Sequence, residues 1–163
     1  KVKLDDQEWG LDHGTWAILK HIFPKANIPV VQLSLDINKS LREHFELAKE
    51  LKFLREQGVI IMGSGNIVHN LKEMNRKMMI KPHDWAIEFD EWTKRMLIDG
   101  NYGALVDNPL ESKAGKLSIP TLEHYIPLLY VLGAADQSDQ LSFDFEEIHN
   151  ASLSMRCFHL SRF

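Results

Sequence analysis

The sequence predicts an α/β fold with a central mixed, mainly parallel sheet and helices on both faces, in a single domain. Two short runs, 28–35 and 59–62, are rich in β-branched and aliphatic residues, as buried strands are. A helical pattern lies between them, and a strand–helix–strand order favours a right-handed crossover with parallel strands. The length of 163 residues is that of one domain.

The first two helices are predicted from apolar periodicity and from their ends. The first covers 13–23 and ends at Pro24, which cannot continue a helix. The second begins at the capping box Ser40-Leu-Arg-Glu43 and stops before Gly58. The apolar positions that define the two helices are Trp16, Leu19 and Phe23 in the first and Leu41, Phe45, Ala48, Leu51 and Leu54 in the second.

The second half of the chain predicts two longer helices and a final strand. A helix starts at Pro82-His83-Asp84 and ends near Gly100, and 101–118 is predicted to be a short helix with loops. The helix 123–135 is apolar almost all round and is therefore predicted to be buried. Alternation over 151–158 predicts a strand. The stripe on the helix that starts at Pro82 is predicted to be core: Trp85, Phe89, Trp92 and Met96.

Composition excludes several classes of function. A net charge of −4 without a basic cluster argues against nucleic acid as a partner. No run approaches the roughly 18 apolar residues of a membrane span, and the polar N-terminus does not resemble a signal peptide. Because Cys157 is the single cysteine, the chain cannot form an intramolecular disulfide, which is typical of a protein of the reducing cytoplasm. Its side chain is predicted to be buried as a small apolar group.

The segment Gly63-Ser-Gly-Asn-Ile-Val-His-Asn-Leu71 carries the strongest functional signal. It follows the apolar run 59–62, and Gly63 and Gly65 allow a sharp turn and close approach to a ligand. His69 then lies beyond the carboxyl end of a predicted strand, where open α/β sheets place their chemistry. The alternative interpretation is a plain strand-to-helix turn with a surface histidine.

Two further motifs complete a recognisable pattern. Asp12-His-Gly-Thr-Trp16 opens the first helix, and Pro120-Thr-Leu-Glu-His-Tyr-Ile-Pro-Leu128 opens the last. With the GSGN segment, in this order and at these separations, the chain resembles the class III extradiol ring-cleaving dioxygenases of the protocatechuate 4,5-dioxygenase type. Within them it looks most like the 4,5-DOPA dioxygenase branch. The resemblance covers nearly the whole chain, from Trp9 to Arg156.

The resemblance implies an activity and a set of site residues. The reaction would insert O2 into a catechol such as DOPA at a non-haem Fe(II) centre, which Zn(II) could also occupy. His69 matches the family's acid/base histidine, and His13 a second catalytic histidine that hydrogen-bonds substrate or bound oxygen. His124 matches the third metal ligand, with Glu123 as the alternative ligand and His69 as a further candidate. The residues expected to contact substrate are His13, Gly65, Asn66 and Thr121.

We therefore expect His13, His69 and His124 to converge on one pocket. The sequence departs from the family pattern His-Pro-Thr-Pro-Glu-His, because Ile119 replaces its first histidine and Leu122 its second proline. The loss of that histidine bears on substrate identity more than on metal binding.

The resemblance also predicts which part of the enzyme this chain is. Family members carry an N-terminal portion with two histidine ligands, and nothing in this sequence matches it. Residues 1–163 are thus predicted to be the C-terminal portion of one catalytic domain, inactive alone. The missing portion would be its partner, and a second copy of the chain is a further candidate partner. Two other functions stay open: a non-catalytic binding module of the same fold, and a zinc-dependent hydrolase.

Overall fold

The computed structural model describes residues 9–162, which fall into two compact units. The first unit ends at Leu35 and the second begins at Asp36. None of the helices between residues 9 and 162 has the length and apolar character needed to cross a bilayer.

Between residues 9 and 35 the first unit contains one helix, α1 (His13–Ile22), where the sequence predicts it. Asp12 caps the helix by accepting a hydrogen bond from the Thr15 amide at 2.8 Å. The Gln32 side chain ties the following stretch to the cap, because its Oε1 accepts from the Asp12 amide at 3.0 Å and from the Thr15 hydroxyl at 2.8 Å. Among the described residues the predicted strand 28–35 has no neighbouring strand, and without a neighbour it forms no ladder of strand hydrogen bonds.

Between residues 36 and 162 the second unit is built on five α-helices and two short 3₁₀ helices. α2 (Leu41–Glu50) starts at the predicted capping box and continues into the 3₁₀ helix Lys52–Gln57. Gly58 ends that helix with a φ of 78°, in the left-handed region that favours glycine. The remaining helices are the 3₁₀ turn Leu71–Glu73, α3 (Asp84–Ile98), α4 (Tyr102–Asp107), α5 (Lys113–Ser118) and α6 (Ile126–Gly133).

These helices pack around one core. α2 lies against α6 and α4, and α3 lies against α5 and α4. The predicted aromatic stripe of α3 joins this core, with Phe89 fully buried and Trp85, Trp92 and Met96 packed against it. The other large side chains at its centre are Phe45, Val68, Leu97, Leu105, Tyr125, Leu129 and Leu132.

Two small antiparallel sheets follow the helices. β1 (Gln140–Phe145) pairs with β4 (Cys157–Ser161), with a register irregularity between Phe143 and Phe145. Between them, β2 (Ile148–His149) pairs with β3 (Leu153–Ser154). The structure thus has helices and short sheets, as an α/β chain should, but residues 9–162 contain no parallel pair and so no mainly parallel central sheet.

Three sequence-based predictions are wrong in this unit. The run 59–62 is not hydrogen-bonded as a strand, and Ile60 is 74% exposed. The predicted strand 151–158 is two strands, β3 and β4, because the chain leaves one sheet and enters the other at Met155 and Arg156. Cys157 is exposed rather than buried, because it lies on the outward face of β4.

Candidate active site around His69 and His124

His69 lies beside β3, in a segment that is not itself a strand. His69 forms an antiparallel bridge with Leu153 of β3. On either side of it, the Ser154 amide donates to the Val68 carbonyl at 3.0 Å and the Asn70 amide to the Ser152 carbonyl at 3.2 Å. The backbone that carries the histidine is therefore fixed along its length by β3 and the residue before it.

The opposite side of this segment contacts the chain before α6. The His69 amide donates to the Ser118 carbonyl at 2.9 Å, and the Asn66 amide donates to the His124 carbonyl at 3.0 Å. These bonds bring the imidazoles of His69 and His124 face to face, with ring centroids 3.5 Å apart and planes inclined by 14°. Two motifs separated by some fifty residues in sequence thus meet in one stacked pair.

The two glycines of the GSGN segment allow this close approach. A Cβ on Gly65 would lie 2.3 Å from the His124 carbonyl oxygen, and one on Gly63 would lie 2.5 Å from the Pro127 carbonyl oxygen. Neither distance is compatible with a side chain. The two glycines let their backbone pack on the segment that carries His124. This packing accounts for glycine at both positions, so neither glycine by itself indicates a bound ligand.

The surroundings of the pair lower two pKa values. Burial and the neighbouring His124 hold the pKa of His69 below its ordinary value, and the opposing effect of Glu123 is smaller. Burial raises the pKa of Glu123, but a 2.7 Å hydrogen bond from the Thr121 hydroxyl and the nearby histidines outweigh it, so the pKa lies below its ordinary value. The site therefore favours an uncharged His69 imidazole close to a carboxylate anion.

Comparison with known proteins identifies the family. The model of the family described as "Catalytic LigB subunit of aromatic ring-opening dioxygenase" matches residues 1–157. The chain belongs to this family. The predicted membership of the class III extradiol dioxygenases is thereby confirmed.

Several relatives of this LigB chain carry the name "4,5-DOPA dioxygenase extradiol". The protein of Escherichia coli (strain K12) is 42% identical over 158 residues, covering 94% of this chain and 58% of its own length. The protein of Beta vulgaris is 36% identical over 90% of this chain and 53% of its own length, and that of Mirabilis jalapa is 36% identical over 82% and 49%. The chain thus spans about half the length of the curated relatives it matches.

A solved structure supports the fold. The crystal structure of an uncharacterized protein from Escherichia coli K12 matches with a TM-score of 0.89 and 42% identity. The match covers 97% of this chain and 66% of that one.

The structure gives the other predicted site residues of this LigB chain definite places. His13 belongs to the first unit, where it is exposed at the start of α1, and its convergence with His69 and His124 stays a prediction. Thr121 hydrogen-bonds Glu123, and the Asn66 amide group donates to the Ser154 carbonyl at 2.7 Å. These contacts are internal to the protein, and the substrate-binding roles of Gly65, Asn66 and Thr121 stay predictions.

The described residues do not by themselves form a metal site. Between residues 9 and 162 no group of three or more histidine, cysteine, aspartate or glutamate side chains is arranged to hold an ion. An imidazole binds a metal in the plane of its ring at about 2.0–2.1 Å. Because the rings of His69 and His124 are stacked, one ion cannot lie in both planes, and only one of the pair can serve as its ligand in this arrangement.

Sequence reasoning missed the residues that support the histidine segment. They are Asp90 on α3, Ser118 at the end of α5, and Ser152, Ser154 and Arg156 around β3. The one signal for them was the closing run Ser152-Leu-Ser-Met-Arg156, which contributes to the family resemblance but has no local pattern that assigns it a role.

Proposed function

We propose that this chain is the C-terminal part of an extradiol dioxygenase that opens the ring of a DOPA-like catechol with O2. The observation that carries the proposal is the stacked pair of His69 and His124, which come from the two motifs that resemble the family's acid/base histidine and its third metal ligand. The names of the relatives support ring cleavage beside a diol. We also propose that the complete enzyme has a mainly parallel central sheet.

The two histidines take different roles in this proposal. His69 is the acid/base residue, which removes a proton from a catechol hydroxyl and later returns one, because an imidazole exchanges protons near neutral pH. His124 is the metal ligand, with the carboxylate of Glu123 beside it. The stacking supports this division, since it leaves only one of the rings suitably placed for an ion.

The remaining ligands would come from a part of the enzyme that this chain does not include. An Fe(II) ion bound there would supply coordination of both catechol oxygens and of O2. The contribution of the described residues is narrower: they hold His69 beside His124, orient Glu123 through Thr121, and exchange the substrate's proton.

Turnover and metal content of the complete protein test the proposal. Oxygen uptake and the absorbance of the ring-opened semialdehyde are measured with DOPA after loading with Fe(II). We expect His69→Ala to lower kcat by roughly 10²–10⁴-fold while the metal content stays unchanged. We expect His124→Ala to lower both kcat and the metal content.

His159→Ala is the matched control, because His159 is an exposed histidine paired with Asp144 on the β1–β4 sheet. It should leave kcat within about twofold. Unchanged turnover in His69→Ala contradicts the acid/base role. A complete, iron-loaded protein that consumes no oxygen with any catechol contradicts the reaction itself.

A further inference from the structure

A buried charge cluster lies behind β3, on the side of α3. The Arg156 side chain is 2% exposed and that of Asp90 is 7% exposed. Arg156 Nε lies 3.1 Å from Asp90 Oδ2, and Arg156 Nη2 also pairs with the same carboxylate. At the rim of the cluster the guanidinium contacts the carboxylates of Glu91 and Glu146.

Ser154 joins this cluster to the histidine segment. Its hydroxyl donates to Asp90 Oδ1 at 2.6 Å and accepts from the Arg156 amide at 3.2 Å. Its backbone faces the other way: its amide donates to the Val68 carbonyl at 3.0 Å, and its carbonyl accepts from the Asn66 side chain at 2.7 Å. Ser154 is therefore bonded at the same time to α3 and to Asn66 and Val68, which precede His69 in the chain.

Such an anchor is needed because β3 is too short to hold its own register. It comprises only Leu153 and Ser154, whereas strands in globular proteins usually have three to ten residues. A slip by one residue would turn its side chains to the opposite face and move the neighbouring backbone. α3, with 15 residues, is the longest helix between residues 9 and 162, and it offers a rigid support.

Stability is a weak reason for placing such charges here. A buried ion pair must overcome the desolvation of both groups and often adds little over apolar residues of the same volume. A better reason for the cluster is that it holds β3 and α3 in one relative geometry. Each Arg156 donor that contacts a carboxylate fixes a direction as well as a distance.

We propose that Asp90, Ser154 and Arg156 are positioning residues for the proton transfer assigned to His69. The inference rests on the proposed function. The cluster acts through β3: it fixes Ser154 on α3, Ser154 fixes the backbone beside His69, and that backbone holds the imidazole against His124. None of the three contacts the reacting atoms.

Ser154→Ala in the complete, iron-loaded protein is the sharpest test. It removes the hydroxyl but keeps the backbone bonds and the Arg156–Asp90 pair. We expect kcat with DOPA to fall roughly ten- to hundredfold with KM within about twofold, because a small displacement of a catalytic group slows the chemical step. Amide hydrogen exchange of Asn70 and Ser154 should quicken, while exchange in α2 stays as in the parent protein.

Arg156→Lys, which keeps the charge but loses the planar guanidinium, should give a smaller loss of kcat than Arg156→Ala.

Arg55→Lys is the matched control. Arg55 forms a bidentate pair with Asp139 at 2.6 and 2.8 Å and is also partly buried, but it joins the 3₁₀ helix Lys52–Gln57 to the loop after α6. It should lower the melting temperature and leave kcat within about twofold.

The outcomes separate the two proposals. An unchanged kcat in Ser154→Ala, with faster local exchange, overturns the positioning role. An equal loss of kcat in Arg55→Lys overturns it too, since general destabilisation would then explain both. If the parent protein cleaves no catechol, the proposed function is contradicted, and the positioning role is contradicted with it. The assay of the parent protein shows this before any variant is made.

Discussion

At the scale of single residues, Gly65 lies where the site has no room for a side chain. A Cβ there would meet the His124 carbonyl oxygen at 2.3 Å, so Gly65→Ala must push apart the two segments that carry the stacked histidines. We expect the free energy of unfolding to fall by about 1–3 kcal/mol, as overpacking costs, and turnover to fall as well. Urea denaturation and steady-state kinetics on the same preparation measure both effects.

Gly103→Ala is the control for this substitution. Gly103 lies in α4, where the nearest atom to an added Cβ is 3.8 Å away. Alanine in a helix is favoured over glycine by roughly 0.5–1 kcal/mol, so this variant should be neutral or more stable. Equal effects of the two substitutions would contradict the close-approach argument.

His44 should make the stability of the protein depend on pH. It is fully buried on α2, and its Nδ1 lies 3.0 Å from the Tyr130 hydroxyl. Burial lowers the pKa of His44 below 6.5, and the backbone and carboxylate of Asp36 offset the shift only in part. The folded state thus resists protonation that the unfolded state accepts. The contribution of the uncharged His44 to the free energy of unfolding is fully present above about pH 6.5. It is lost as the pH falls from there through the lower, folded-state pKa.

His44→Gln removes the titrating group while keeping a polar side chain. Urea unfolding between pH 5 and pH 8 should then show a weaker rise of stability with pH than in the parent protein. An unchanged slope would contradict the assignment to His44. His149→Gln is a suitable comparison, because His149 lies in β2 and pairs with Glu147 at 2.8 Å, away from α2.

At the scale of elements, the capping box tests how much local sequence stabilises α2. The Ser40 hydroxyl accepts from the Glu43 amide at 3.2 Å, and the Glu43 carboxylate accepts from the Ser40 amide at 2.8 Å. Ser40→Ala should lower the free energy of unfolding by about 1 kcal/mol, because the Glu43 amide loses its hydrogen-bond acceptor. Thermal melts measure the change. Ser142→Ala, at an exposed position of β1, should leave stability nearly unchanged and so exclude a general effect of losing a hydroxyl.

The helices were predictable because their determinants are local. The capping box, Pro24 and the aromatic stripe of α3 all act within a few residues of their position, and each predicted helix has a counterpart in the structure. The strands were not, because a strand depends on its neighbour. The runs 28–35 and 59–62 have strand composition without strand hydrogen bonds. β1 was missed, although Leu141, Phe143 and Phe145 alternate within it.

At the scale of the whole molecule, the sequence predicted the family and the two central histidines but not their support. Motif order alone indicated His69 and His124, and the structure brings them together. The residues that hold them depend on long-range contacts, such as the bond between Ser154 and Asp90, which are 64 positions apart. No periodicity or spacing in a single sequence reports such a bond, so Asp90 was predicted only as part of a helix.

Metal content gives the last prediction. One imidazole with a neighbouring carboxylate binds Fe(II) or Zn(II) weakly, because tight sites need three or more ligands in a fixed geometry. The described residues offer no such set, and the chain covers about half of its relatives. We therefore expect the 18.8 kDa chain to lose added Fe(II) on gel filtration, whereas a complete enzyme retains about one ion per protomer.

Native mass spectrometry with metal analysis on the same samples measures the difference. If the 18.8 kDa chain kept a stoichiometric ion after a chelator wash, its own residues would form the site, and the division of roles between His69 and His124 would need a different geometry from the stacked one. If the ion is retained only by the complete enzyme and is lost in His124→Ala but kept in His69→Ala, then His124 is the metal ligand and His69 is not, a result that needs no measurement of turnover.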